Sequence, residues 1–524
     1  MMQNIVAEAM SDPAFYPFHT ESVEVIQTHI SWVFIAGDEV FKVKKAVNFG
    51  FLDFTTREKR KFYCEEEVRL NRRLAPQVYL GVVEISIDET GKPVLAGEGT
   101  AVEYAVHMNK VPADRMLKKL LSRPDFEPAV ITAVAGKLAD FHRKADTGGL
   151  IDETGGLETV RRNHEENFSQ TEPFIGITLS AFRHAFIRSY ARAFLSDHEP
   201  LFRRRVKEHR IRDCHGDLHL EHIVVDGEEI IIFDCIEFNE RFRFTDVAAE
   251  TAFLAMDLDF NGYSDLSRFF IQAYIDASDD REISTLTRFY RCYYAFVRGK
   301  VTGFRLQDTQ GSGDDDEATT QTAMRYFDLA FSYAFSFPRP TLLIMAGLMG
   351  SGKSVIAGEL SRLTGAKVIR MDVIRKESCG IEPTERRLDD FAEGIYSEDF
   401  SRHIYEKALA SAKDMLAAGE SVIVDASFKR GMYRAAAREA ADRVEADFFV
   451  LECVCSDTCA RERLAMRLLD KNEASDGRPE IYDAQKADFE SISECEPGAH
   501  LQINTEDSLG DCVDRAIAFL TQTP

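Results

Sequence analysis

No run of about 18 uncharged apolar residues occurs in the 524-residue chain, which excludes a membrane-spanning helix. The first thirty residues lack a basic start leading into an apolar stretch, so no secretory signal is expected and the chain is expected to be cytoplasmic. Positive charge is scarce: 64 Lys and Arg face 88 Asp and Glu, a net charge of −24. A phosphate backbone is gripped by excess cations, so a nucleic-acid partner is not expected. No CxxC or His pair accompanies the tightest cysteine group, Cys453, Cys455 and Cys459, which reads as reduced residues on or beside a strand rather than a metal centre. No short internal repeat is present. Two basic stretches remain, 57–73 and 203–212. The first is interleaved with Glu58, Glu65, Glu66 and Glu67, and both read as surface helices.

What is present divides into regions, as a chain too long for one ordinary core should. Residues 21–105 alternate as strands around one charged helix, and residues 112–305 are mostly helical, broken by short strands in HIVVDGEEIIIFD. The segment QDTQGSGDDDEATTQ, 307–321, has no apolar period and is expected to be a flexible acidic loop. An apolar helix and the punctuation of Pro338 and Pro340 follow. From Thr341 the strands TLLIMA, KVIRM, SVIVDA, DFFVLECV and HLQIN alternate with helical stretches, which implies a parallel sheet with helices on both faces. The expected boundaries are a first domain at 1–306, a loop, helix and linker at 307–340, and a second domain at 341–524.

The second domain opens on GLMGSGKS, a full GxxxxGK[ST] match. In such a loop Gly347, Leu348, Met349, Gly350, Ser351 and Gly352 turn backbone N–H groups around phosphate oxygens. Lys353 adds a cation for the β- and γ-phosphates, and Ser354 offers a hydroxyl to Mg²⁺. The pattern therefore binds a nucleoside triphosphate with Mg²⁺. Asp372 and Asp425 fall at strand ends, where ligands collect in an open α/β sheet. One such carboxylate can accept the acceptor's proton while the other orients Mg²⁺. Arg463 and Arg467, one helical turn apart, are placed either to close over a transferring phosphate or to lie on a surface face. Residues 341–520, by GLMGSGKS, DVIRK, VIVDASF and the arginine-rich helix, resemble the small P-loop kinases: gluconate and shikimate kinase-like enzymes, polynucleotide kinase and zeta toxin. That resemblance makes Asp372 the candidate base and gives Asp425 to magnesium or the acceptor.

In the first domain, HGDLHLEH at 215–222 followed by IIIFD resembles the HGDxxxxN…D pattern of aminoglycoside phosphotransferases and choline kinases. The resemblance implies a bilobal protein-kinase-like α+β fold, with Asp217 as base and Asp234 as metal ligand. His222 stands where those families have asparagine. Imidazole ligates metals, but it is a softer ligand that favours Zn or Mn over Mg. The strand EVFKVKK puts Lys42 and Lys44 on one face, and the VxxK rhythm selects Lys44, to be held on the phosphates by Glu67 of the following helix. The turn THIS, 28–31, would cover the phosphates. With FGFLDFTTREKR and CEEEVRLNRRLAP, nearly the whole chain resembles bacterial fusion proteins that join an aminoglycoside phosphotransferase-like domain to a P-loop ATP-binding domain. The implied activity is a kinase using ATP and Mg²⁺ on small-molecule hydroxyls, for example those of sugars. The alternatives left open are a nucleotide-gated regulator with a weak first domain, and a toxin-like or nucleic-acid-end kinase.

Overall fold

The computed structural model describes residues 2–97, 99–308, 313–386, 393–469 and 475–521. Contacts divide the chain into two units, Met1–Phe174 with Arg188–Ala330, and Ile175–Ile187 with Phe331–Pro524. Among the described residues no helix is long and apolar enough to cross a membrane.

In the first unit, β1 (Val23–Gln27), β2 (Ser31–Ala36), β3 (Glu39–Lys44), β4 (Tyr79–Ile87), β5 (Pro93–Leu95) and β6 (Thr100–Asn109) form an antiparallel sheet in the order β1-β2-β3-β6-β4-β5. Period-two alternation sorts its faces. Phe41 and Val43 of β3 join Phe34, Ile85, Val6 and Met10 in one core. Lys42 and Lys44 face the other way, toward the helix Arg57–Asn71. Thr56 caps that helix by accepting from the Lys59 N–H at 3.2 Å. Its buried residues Arg60, Cys64, Glu67, Val68 and Asn71 recur at helical spacing. The stretch 57–73 is thus not simply a solvated face: Arg60 pairs with Glu103, and Glu67 meets both lysines, because the sheet supplies opposite charges at those depths.

The rest of this unit is helical and carries two short antiparallel pairs. These are β7 (Ile211–Asp213) with β10 (Phe244–Asp246), and β8 (Ile223–Asp226) with β9 (Glu229–Ile232). A sheet with one helix after its third strand, followed by a helical part holding these ladders, is the bilobal kinase-like α+β arrangement expected. Two expectations are corrected. In the helix Glu199–Lys207, Arg205 is not on the surface: it is fully buried and donates to both Asp246 and Asp280, which arrive from distant segments. The acidic stretch 307–321 is not a loop where it is described. Helices Ile283–Asp308 and Gly313–Ala334 cover its ends, and 309–312 lie outside the described residues. Lack of apolar period does not by itself make a loop, since Asp, Glu, Ala, Thr and Gln do not break a helix.

The second unit holds β11 (Thr341–Ala346), β12 (Lys367–Arg370), β13 (Val422–Asp425), β14 (Asp447–Val454) and β15 (His500–Asn504), all parallel, in the order β12-β13-β11-β14-β15. All six residues of β11 are buried, as a central strand covered on both faces requires. The chain leaves β11 between β13 and β14, so the turn after it lies at a switch point in strand order, where such sheets bind ligands.

Candidate active sites

The turn after β11 is the GLMGSGKS segment, and the helix Lys353–Thr364 begins within it. Gly347 has φ +130° and Gly350 +76°. A Cβ on Gly347 would stand 2.3 Å from the Cys453 carbonyl oxygen, and one on Gly350 2.6 Å from that of Ala460. Only glycine lets this loop pack so closely against β14 and the helix Asp457–Arg467. The first N–H groups of the helix have no partner within it and, with its dipole, suit a phosphate. Lys353 Nζ donates to the Gly347 and Leu348 carbonyls at 3.1 and 2.7 Å, so its ammonium already sits over the loop. Burial pulls its pKa down, against the pull of Asp425.

Asp425, at the end of β13, is 8% exposed and bonded by the Ser354 hydroxyl. Burial raises its carboxyl, while Ser354 and Lys353 oppose the rise. A hydroxyl from the start of the helix and a carboxylate from the end of β13 are the hard oxygen donors Mg²⁺ takes, so this pair fits that ion. Asp372 stands in the first turn of the helix Met371–Glu377. Lys353, Ser354, Asp372, Asp425 and Arg467 all line one cavity of about 250 Å³. Seven basic and five acidic side chains line it, a local reversal of the chain's acidity.

Arg463 is placed differently. It donates to the Thr505 hydroxyl and carbonyl at 2.8 and 2.7 Å and does not line the cavity. Thr505 in turn donates to the Ser351 carbonyl at 2.9 Å, so Arg463 braces the loop from behind. Sequence reasoning missed several lining residues. Arg375, one turn after Asp372, is buried against Tyr396 and donates to the Ile395 carbonyl at 2.6 Å. Asp476 joins buried Lys376 (3.1 Å) and the Tyr396 hydroxyl (2.7 Å). The i, i+3 spacing in DVIRK was the available signal for Arg375; nothing local pointed to Asp476.

In the first unit, Lys44 is enclosed between Glu67 (2.5 Å) and Glu237. Lys42 instead bridges Glu67 at 2.8 Å and Asp234 at 2.7 Å, beside a carboxylate that is 40% exposed. Burial opposes the charge on each lysine, and the surrounding carboxylates outweigh it, so both ammonium pKa values rise. The expected Lys44–Glu67 pair is present, and Lys42 shares Glu67 and also meets Asp234.

Asp234 has φ +64°, a left-handed conformation uncommon outside glycine that aspartate tolerates better than most residues. The Tyr79 hydroxyl accepts its N–H at 3.1 Å, and the Asn71 side chain accepts that of Cys235 at 2.8 Å. Asp217 faces His219 Nε2 at 3.6 Å, and its carbonyl contacts His222 Nδ1 at 2.8 Å. Burial raises the Asp217 carboxyl, but the His219 N–H turned toward it and the positive charge of Arg298 hold it below the usual range. Buried Glu250 accepts the His215 and Gly216 N–H groups, each at 2.7 Å, and fixes the loop carrying Asp217. In the THIS turn Thr28 Oγ1 accepts the Ser31 N–H at 2.9 Å, closing the hairpin.

A family described as "AAA domain" matches residues 342–492, so the second unit carries a kinase-type P-loop domain. The Mycobacterium tuberculosis (strain ATCC 25618 / H37Rv) protein "Uncharacterized protein Rv2004c" is 31% identical over 472 residues, covering 90% of this chain and 91% of that one. The chain belongs to the Rv2004c family. Both the P-loop and HGDLHLEH fall within a match of that extent to the Rv2004c family, whose shared length takes in both units. Among solved structures, a choline/ethanolamine kinase family protein from Mesorhizobium loti is 15% identical with TM-score 0.39, covering 62% of this chain and 99% of its own. A gluconokinase from Sinorhizobium meliloti 1021 is 22% identical with TM-score 0.26, covering 36% of this chain and 94% of its own.

Proposed function

We propose that the chain is an ATP-dependent phosphotransferase with two nucleotide sites, each passing the γ-phosphoryl group of ATP to a hydroxyl of a small molecule. The observation that carries this is the convergence of Lys353, the Ser354–Asp425 pair and Asp372 on one cavity. The loop 347–354 holds the β- and γ-phosphates through backbone N–H groups and Lys353. Ser354 and Asp425 would hold Mg²⁺, which when bound would supply charge neutralisation to the triphosphate. Asp372 takes the acceptor proton as the new O–P bond forms, the bond to the β-phosphate breaks and ADP leaves. Arg467 lies where negative charge spreads on the transferring group.

In the first unit Asp217 is the base, and Lys42, oriented by Glu67, takes the phosphates beside Asp234. Lys44 then serves as the buried counter-charge that keeps Glu67 and Glu237 together. The functional division is 1–306 for this site and 341–524 for the P-loop site, joined by 307–340.

The test follows ADP formation by the full chain across a panel of hydroxyl-bearing metabolites, comparing wild type with Lys353→Ala and Asp217→Asn. Each variant is expected to abolish a different ATP-dependent product. Unchanged products in both would overturn the proposal. Loss with Lys353→Ala alone would leave the first unit a nucleotide-responsive regulator.

A further inference from the structure

We infer that the divalent ion of the first unit is bound through an imidazole nitrogen, His222 Nε2, together with Asp234 Oδ2, and is of the Mn²⁺–Zn²⁺ series rather than Mg²⁺. This rests on reading the first unit as a nucleotide-dependent phosphotransferase site. Three observations in the structure support it.

His222 Nδ1 lies 2.8 Å from the Asp217 carbonyl oxygen. A carbonyl oxygen only accepts, so Nδ1 carries the proton and Nε2 keeps its lone pair. That fixed tautomer is the arrangement by which a backbone carbonyl orients a metal-binding imidazole. The lone pair has a carboxylate opposite it, since His222 Nε2 and Asp234 Oδ2 are 3.6 Å apart. This is too long for a hydrogen bond. It does match the edge of a coordination shell, where two ligands about 2.1–2.2 Å from one ion stand about 3.0–3.6 Å apart. The other oxygen, Asp234 Oδ1, is taken by Lys42, which leaves Oδ2 for the His222 side.

His219 does a different job. Its Nδ1 accepts the Glu221 N–H at 3.3 Å, so its Nε2–H is turned toward Asp217 Oδ2, and its ring lies 3.7 Å from that of His222. It therefore faces the base and packs against the ligand. Asp217, His219 and His222 form one group whose ligand atoms all lie within 4.8 Å of one another, so the pocket is rich in donors. The chemistry of the set selects the ion. Mg²⁺ is served by oxygen and sheds water reluctantly, whereas one imidazole with one carboxylate suits Mn²⁺ or Zn²⁺, the remaining positions going to water and phosphate oxygens.

Pulsed EPR of the full chain loaded with Mn²⁺, with and without a non-hydrolysable ATP analogue, tests this directly. Imidazole ¹⁴N coupling to the manganese is expected in wild type, lost in His222→Asn and kept in His219→Asn. The P-loop cavity has no histidine among its described lining residues, so its ion contributes no such coupling. Mn²⁺ titration is expected to weaken by about tenfold or more in His222→Asn, with no such loss for Mg²⁺. Wild-type Mn²⁺ without nitrogen coupling would overturn the inference whatever the variants do, as would coupling that survives His222→Asn. If nitrogen coupling appears but Asp217→Asn changes no ATP-dependent product, the phosphotransferase reading of this unit falls and the metal assignment stands. If Asp217-dependent turnover is found with no nitrogen coupling, only the metal assignment falls.

Discussion

Asp372→Asn is expected to lower turnover at the P-loop site by about 10²–10⁴-fold, the usual contribution of a positioned general base. The substitution keeps the side chain's size and its place in the first turn of Met371–Glu377, and removes only the ability to take a proton. ATP affinity is expected to stay nearly constant, because the Ser354–Asp425 pair and Lys353 are untouched. Steady-state kinetics separates the two roles open to an aspartate here. A fall in kcat with unchanged KM for ATP fits a base that acts in the transition state. A matched loss of Mg²⁺-dependent ATP affinity would instead make Asp372 the metal ligand.

The paired lysines of β3 should behave oppositely when truncated. Lys44→Ala leaves Glu67 and Glu237, whose side chains are 0% and 5% exposed, without the ammonium between them. Removing one partner of a buried ionic cluster costs about 3–5 kcal/mol, because the remaining charges are stranded away from water. Lys42→Ala strands less, since buried Glu67 keeps Lys44 and Asp234 is 40% exposed and can hydrate. It should cost less stability than Lys44→Ala, yet reduce Asp217-dependent turnover by about 10²-fold or more through loss of a positioned cation at the phosphates. Denaturant unfolding followed with ADP formation reads both effects. A stable Lys44→Ala with lost turnover, beside an active Lys42→Ala, would return the phosphate role to Lys44.

These two lysines also mark the limit of what the sequence could tell. Period-two alternation puts Lys42 and Lys44 on the same face of β3, and nothing local separates them. The difference lies in which carboxylate each meets, and Asp234 and Glu237 arrive from about two hundred residues away. Arg205 was misplaced for the same reason: a buried arginine needs Asp246 and Asp280, which its own helix does not contain. Arg463 and Arg467 share a helix face, and only the position of Thr505 at the end of β15 commits the first to bracing the loop. The parallel sheet was legible because each of its strands is a short apolar run followed by a helical period, a signal carried within ten or so residues. The P-loop was legible because its chemistry is contained in eight consecutive residues. Asp217 and Asp234 were legible as a spaced pair, but the left-handed backbone of Asp234 was not.

The central claim is that the loop 347–354 grips a triphosphate beside Mg²⁺. Isothermal titration of the full chain with ATP, in the presence and absence of divalent ions, tests it most directly when wild type is compared with Lys353→Ala. Wild type is expected to bind two nucleotides per chain, and Lys353→Ala to lose one of them, with the lost site requiring Mg²⁺. The same stoichiometry and affinity in both proteins, with or without Mg²⁺, would contradict the account.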